Sequence, residues 1–258
     1  KDNMSEQAVL VDVADGIMTV TLNRPAAKNA ANRAVAVGVA AAMDELDSND
    51  DIRVAILTGA GGTFCSGMDL KAFVSGELPM VEGRGFAGLT EAPPKKPLIA
   101  AVEGFALAGG LELMISCDLV VAADNAKFGI PEVKRGLAAA AGGLIRLPKQ
   151  VPSRVAMEMA LTGDFIDTTR AESIGLVNRV VPAGTALDAA KELAATICAN
   201  GPLAVQVSKQ VMVESAEWSS EEMWQKQQQL TQPVFSSQDA IEGATAFAEK
   251  RAPNWTGK

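Results

Sequence analysis

The sequence predicts an α/β protein in which strands and helices alternate first and helices alone follow. Three observations predict it. Short apolar, β-branched runs recur at 53–59, 97–104 and 119–124, the length and composition of buried strands. Two alternating runs flank Asp15-Gly16 near the start. From about residue 145 onward the apolar spacing is helical.

In chain order, VLVDVADGIMTVTLNRP (9–25) predicts two strands joined at Asp15-Gly16, because Asp-Gly between alternating runs is a strong hairpin signal. NAANRAVAVGVAAAMDELDSND (29–50) is alanine-rich with an acidic polar end and predicts a helix. RVAILTG (53–59) predicts a short buried strand closed by glycine. Residues 72–95 mix polarity with scattered glycine and proline, including PPKK, and are expected to form a loop or broken helix over the surface. PLIAAVEG (97–104) and LVVAAD (119–124) predict the next strands. SRVAMEMALTG, TTRAESIG, a segment near 185–199 and long patterns at 203–230 and 238–251 predict helices. Thr169 with Glu172 fits a capping box.

A length of 258 residues without a compositional break suits one large domain or one domain with a helical extension. Hydrophobic residues make up 48%, enough for a substantial core. No run of 18 uncharged apolar residues occurs, so a membrane span is not expected. The polar start KDNMSEQ does not fit a secretory signal, and Met4 is read as the natural first residue. Cys65, Cys117 and Cys198 lie far apart with no CxxC pair, which argues against a disulfide framework or structural zinc and for a reducing cytoplasm. Histidine and tyrosine are both absent. Ser-His-Asp and Cys-His chemistry are thereby excluded, and proton transfer falls to carboxylates, lysines, cysteines or bound water. A net charge of −8 argues against nucleic-acid binding but leaves room for a small polyanion met by a few local lysines.

Three stretches carry candidate chemistry. TGAGGTFCSGMDLKAF (58–73) is not a dinucleotide loop, because Phe64 stands where GxGxxG needs glycine. Nor is Ser66 a nucleophile elbow, since Phe64 displaces the first glycine and no histidine exists to activate a serine. What remains is a strand, a glycine turn and Gly67-Met68, where a glycine lets the Met68 N–H face a cleft; a plain strand-to-helix turn is the simpler alternative. In ALAGGLEL (106–113) a helix begins at two glycines. Its first N–H groups lack intrahelical partners, and glycines without Cβ allow close approach. Met68 and Gly109 are therefore a candidate pair of oxyanion donors, with Glu112 one turn inside the helix. The alternative for Glu112 is an ordinary first-turn acid offsetting the helix dipole. In KFGIPEVKRGL (127–137), Glu132 follows the Ile130-Pro131 bend and equally reads as an early-helix residue. Two glutamates beside such donors suit one water and both of its protons.

In this order and spacing the pieces resemble the crotonase (enoyl-CoA hydratase/isomerase) superfamily. LNRPAAKNA, FCSGMDLKAF, VEGFALAGGLELMISCDLVVAADNAKFGIPEVKRGL, GLVNRVVP and AIEGATAFAEKR all fit, over about residues 8–251. The resemblance implies a crotonase-like spiral of ββα units over 1–199 carrying an acyl-CoA site. It implies a C-terminal helical region over 200–258 that packs in a homotrimer or homohexamer. It implies that the Met68 and Gly109 N–H groups polarise a thioester carbonyl, that Glu112 activates water for attack at C3, and that Glu132 supplies the C2 proton. Coenzyme A enters as part of the substrate, with no metal or separate cofactor. Lys28, Lys71 and Lys250 match positions that meet the CoA anion, Lys250 on an adjacent subunit; each alone reads equally as a solvated lysine. Phe247 is read as covering the acyl or pantetheine arm, or as core, and residues 72–92 as shaping the acyl pocket. The family commonly carries proline-glycine after the second glutamate, where this chain has Ala139 and Ala140 in GLAAAAGG. Ala140 keeps an N–H but adds a methyl near the place of the catalytic water. The implied activity is reversible hydration of a trans-2-enoyl thioester. Enoyl-CoA isomerisation, or acyl-CoA binding without turnover, are the alternatives.

Overall fold

The computed structural model describes residues 7–258. The reading of Met4 and of the polar start over 1–6 lies outside the described residues. β1 (Val9–Ala14) and β2 (Ile17–Leu22) form the expected hairpin. Asp15 and Gly16 both take positive φ, 53° and 77°, the turn handedness that matches strand twist. α1 (Arg33–Ser48) starts at Asn32, whose side-chain oxygen accepts the Val35 N–H at 3.0 Å. It buries Val35, Val39, Met43 and Leu46, one helical face. Then come β3 (Val54–Gly59), α2 (Leu70–Val74), β4 (Met80–Val81), β5 (Gly85–Phe86), β6 (Leu98–Val102), β7 (Phe105–Leu107), α3 (Gly109–Ile115), β8 (Leu119–Ala123) and β9 (Lys127–Gly129). The rest is α4 (Gly143–Gln150), α5 (Ser153–Thr162), β10 (Ile166–Asp167), α6 (Thr168–Ser173), β11 (Arg179–Val181), α7 (Ala186–Cys198), α8 (Pro202–Glu214), α9 (Met223–Phe235) and α10 (Gln238–Ala248).

One sheet has the order β1-β2-β3-β6-β8-β11 and is parallel apart from the hairpin. A second sheet has the order β10-β9-β7, and Cys65 bridges Ala106 at its edge. The chain thus repeats one pattern: a strand in the first sheet, a strand in the second, then a helix. β3, the Cys65 bridge and α2 make one turn of it; β6, β7 and α3 make the next. This is the expected spiral of ββα units. The central strands of the first sheet, β3, β6 and β8, are buried on both faces, whereas β1 at the edge is largely exposed. Ile56 and Ile99 meet Ala190 and Ala194 of α7, while Leu57 and Ala100 face the larger core with α1 and α3. Burial on both sides explains why these strands read as unbroken apolar runs.

Several expectations need correction. Residues 72–84 lie mostly on the surface as expected, but 85–90 do not: Phe86, Ala87 and Leu89 are buried, and Gly88 presses so closely on α1 that a Cβ would come 2.8 Å from the Ala40 nitrogen. The Thr169–Glu172 box does not form. Asp167 caps α6 instead, accepting the Arg170 N–H at 2.8 Å, and Thr169 lies inside the helix. The pattern over 203–230 is broken between α8 and α9 by a 3-10 turn at Ser215–Glu217. Among the described residues no helix is long and apolar enough to cross a membrane.

Asn29 joins the two loops that lead to the site. Fully buried, it accepts the Arg24 N–H at 2.9 Å and donates to the Ala60 and Thr63 carbonyls at 2.9 and 2.6 Å. Asn29→Ala leaves all three groups unpaired and should lower the unfolding free energy by about 2–4 kcal/mol in urea titration. A loss under about 1 kcal/mol would show that this joint is not needed.

Candidate active site

The first donor lies where the chain leaves β3. Cys65 N–H donates to Phe105 O, and Leu107 N–H donates to Cys65 O, which fastens the loop to the second sheet. Gly67 then takes φ 114°, a conformation that favours glycine. Its carbonyl accepts the Ala31 N–H at 2.7 Å, and Asp69 N–H donates to Ala31 O at 2.9 Å. Between them the Met68 N–H finds no acceptor among the described residues. Asp69 also caps α2 and pairs with Arg24 at 2.8 Å, so the loop is held on both sides of Met68.

The second donor opens α3. Ala108 has φ 53° and ψ −126°, a conformation costly for a residue with a side chain. Two bonds impose it: Ala108 N–H donates to Gly129 O at 2.9 Å, and Glu112 N–H donates to Ala108 O at 3.1 Å. The Gly109 N–H is left without an acceptor among the described residues. A Cβ on Gly67 would stand 3.4 Å from the Gly109 nitrogen, so the two loops abut. The glycines of ALAGGLEL are required by the protein's own packing. A Cβ at Gly109 would overlap the Phe86 ring, and one at Gly110 would overlap the Cys65 carbonyl oxygen. Phe86 belongs to the segment expected on the surface, and it forms the wall behind this donor.

Glu112 is only 3% exposed. Its carboxylate does not offset its own helix. Oε1 instead accepts the Ala141 and Gly143 N–H groups, each at 2.9 Å. Burial pushes its pKa up to about 7, the nearby Glu132 adds to the rise, and the two amides and Arg146 oppose it. Glu132 sits in a 3-10 turn, Pro131–Arg135, and its pKa is also raised, chiefly by burial, with Arg135 opposing. Its Oε2 is buried with no hydrogen-bond partner. A carboxyl in that state needs a proton, a water or a substrate atom beside it. The cysteines drop out as alternative acids or bases near the donors: burial pushes the Cys65 thiol up to about 12.

The structure brings Met68, Gly109, Glu112 and Glu132 to one place. The lysines are more scattered. Lys28, exposed, follows the 3-10 turn at Pro25–Ala27; its carbonyl accepts the Ser66 N–H and its ammonium lies 5.5 Å above the Phe105 ring. Lys71 is exposed in the first turn of α2, three residues past Met68. Lys250 lies beyond α10, exposed. Phe247 is not core, being 87% exposed. The Ala140 N–H donates to Ala138 O at 2.8 Å, so it is engaged within its own loop and not open to a water. The residues that sequence reading missed are Ala141, Gly143 and Arg146. Their signal is the glycine pair Gly142-Gly143, which stands 31 residues past Glu112 and meets it only in the folded chain.

A sequence profile of the enoyl-CoA hydratase/isomerase family matches residues 12–258. A crystal structure of enoyl-CoA hydratase from Mycobacterium tuberculosis H37Rv superposes with a TM-score of 0.97 at 58% identity, covering 98% of this chain and 100% of that one. Enoyl-CoA hydratase EchA19 of Mycobacterium tuberculosis is 43% identical, with 96% of each chain covered. Carnitinyl-CoA dehydratase of Proteus mirabilis is 38% identical, over 98% of this chain and 99% of its own. With the ββα spiral and the glutamate pair already in place, these likenesses put the chain in the enoyl-CoA hydratase/isomerase family, the crotonase superfamily, as a crotonase-type acyl-CoA enzyme.

Proposed function

We propose that the protein is an enoyl-CoA hydratase, adding water reversibly across the double bond of a trans-2-enoyl thioester. One observation carries this reading: two backbone N–H groups without acceptors among the described residues, on Met68 and Gly109, lie beside the buried Glu112 and the half-buried Glu132, whose Oε2 is buried and unpaired. The thioester oxygen takes both N–H groups, which withdraws charge from C3. Water adds there while Glu112 takes one of its protons on the oxygen left free by Ala141 and Gly143. Negative charge gathers on the thioester oxygen as an enolate, where each preorganised donor is worth about 3 kcal/mol. Glu132 delivers a proton to C2. A pKa near 7 suits Glu112 to take a proton at neutral pH and return it in reverse. Hydration and dehydration of one thioester pair share a transition state, so relatives named hydratase and dehydratase both support this reading.

Lys28 and Lys71 flank the donor loop and would meet the CoA phosphates. Lys250 and the exposed Phe247 serve the same ligand on a neighbouring copy, in a homotrimer or homohexamer. The second reading is enoyl-CoA isomerisation through the same enolate, which needs only one carboxylate. Glu132, half-buried with a buried and unpaired Oε2, favours hydration because it gives the second proton a donor. Incubation with 2-enoyl and 3-enoyl thioesters separates the two: hydration consumes the absorbance of the conjugated 2-enoyl substrate, whereas isomerisation creates it from the 3-enoyl one.

Glu112→Gln and Glu132→Gln should each lower kcat at least 100-fold while calorimetry still shows acyl-CoA binding. Full activity in either variant would refute the two-glutamate scheme. Stability gives an independent check on Glu112. Its folded pKa lies above the ordinary 4.5, so the native state holds a proton that the unfolded chain has released. Stability falls as pH rises from about 4.5 to about 7 and stays lower above that. Relative to wild type, Glu112→Gln should therefore gain about 2–3 kcal/mol between pH 4 and pH 8 in urea unfolding. A difference that does not change with pH would contradict the raised pKa.

A further inference from the structure

Gly142 and Gly143 carry opposite charges in the space that their side chains would fill. A Cβ on Gly143 would stand 2.9 Å from Glu112 Oε1; a Cβ on Gly142 would stand 2.6 Å from Arg146 Nη1. Arg146 reaches back from α4 over the loop that bears the Ala141 and Gly143 amides. Its backbone N–H donates to Gly142 O at 2.9 Å, which closes the first turn of α4. Its Nη1 donates to Ser116 Oγ at 3.2 Å, and that hydroxyl donates to the Glu112 carbonyl at 2.7 Å. One side chain thus ties the amide-bearing loop to the end of the helix that carries Glu112.

On another flank Arg146 and Ser116 line a cavity of about 810 Å³, whose lining includes neither Glu112 nor Glu132. Of the other cations lining it, Lys209 pairs with Asp118 at 2.6 Å and Lys149 with Glu217 at 3.3 Å, and neither they nor Lys95 act on Glu112 as Arg146 does. We propose that Arg146 is a positioning residue for Glu112, fixing the loop that grips its carboxylate and setting a permanent positive charge behind it. The charged groups that face Glu112 are Glu132, from the 3-10 turn, and Arg146, from α4; Arg135 acts on Glu132. Arginine keeps its charge throughout the working pH range, so it opposes both the burial and the Glu132 charge that favour a protonated Glu112. The role rests on Glu112 acting as the base, and its test reads the carboxyl directly.

Difference infrared spectroscopy follows the Glu112 carboxyl through a pH titration, with the band assigned by its loss in Glu112→Gln. Arg146→Gln should raise the midpoint by about one unit or more. Arg146→Lys, which keeps the charge, should leave it within about half a unit of wild type. With an enoyl thioester, kcat of Arg146→Gln should then fall about tenfold on the acid side, with KM little changed. In Arg146→Ala, millimolar guanidinium admitted through the cavity should restore activity, whereas equal urea or potassium chloride should not. Equal midpoints in wild type, Arg146→Lys and Arg146→Gln would overturn the proposal. Should Arg146→Gln fail to fold, Ser116→Ala keeps the test. It frees the guanidinium from its acceptor, so the midpoint should rise in the same direction, and an unmoved midpoint in folded protein overturns the positioning. Absent turnover in the wild type would instead sink the hydratase reading and leave the titration standing.

Discussion

The Glu112 carboxyl accepts two backbone amides on one oxygen, and the chemistry of the site depends on that grip. A carboxylate stripped of water and given nothing in return stays protonated and inert as a base. The Ala141 and Gly143 N–H groups return part of the lost solvation, and burial and Glu132 take part of it away. The balance leaves a group that changes charge near neutrality. The same two bonds fix the carboxyl's orientation, so the other oxygen is free in a known direction. Neither effect needs histidine, which the chain lacks.

The donors facing that carboxyl are preorganised by strain and packing rather than by helix length. α3 has only seven residues, so its macrodipole adds little beyond its first amides. What aims the Gly109 N–H is the positive φ of Ala108, held by one bond to Gly129 and one from Glu112. Glu112 is therefore coupled to the donor through its backbone as well as placed beside it. Phe86 and the Cys65 carbonyl lie where the side chains of positions 109 and 110 would go, so the turn has no room to relax. Donors that do not reorganise during reaction stabilise developing charge most effectively.

Local chemistry was legible in the sequence and distant partners were not. Asp15-Gly16 announced its hairpin because the turn type depends on those two residues alone. The buried strands of the first sheet announced themselves by unbroken apolar runs, and the ordered glycine motifs located Met68, Gly109, Glu112 and Glu132. β7, β9 and β11 were missed because three residues are too few to show a period. α4 was missed because it opens on glycine and carries Pro148 inside. Residues 85–90 read as surface because their neighbours, α1 at Gly88 and Gly109 of α3 at Phe86, lie far away in the sequence. Thr169 and Glu172 had the right spacing for a cap, but Asp167, one residue before the helix, already satisfied the Arg170 amide. The packing need for Gly109 and Gly110 was not legible because a sequence shows that a side chain is missing but not what occupies its place.

The loop after Glu132 ties its own conformation to that of Glu112. Ala138 and Ala140 are exposed, and Ala139 is buried against Gly143. The Ala140 N–H turns back to Ala138 O, so the loop curls on itself just before presenting the Ala141 and Gly143 amides to Glu112. Any change in that curl therefore also moves the two amides that grip Glu112. Arg146 lies on the other flank of the same glycines, which places a positive charge beside the loop that bears the two amides.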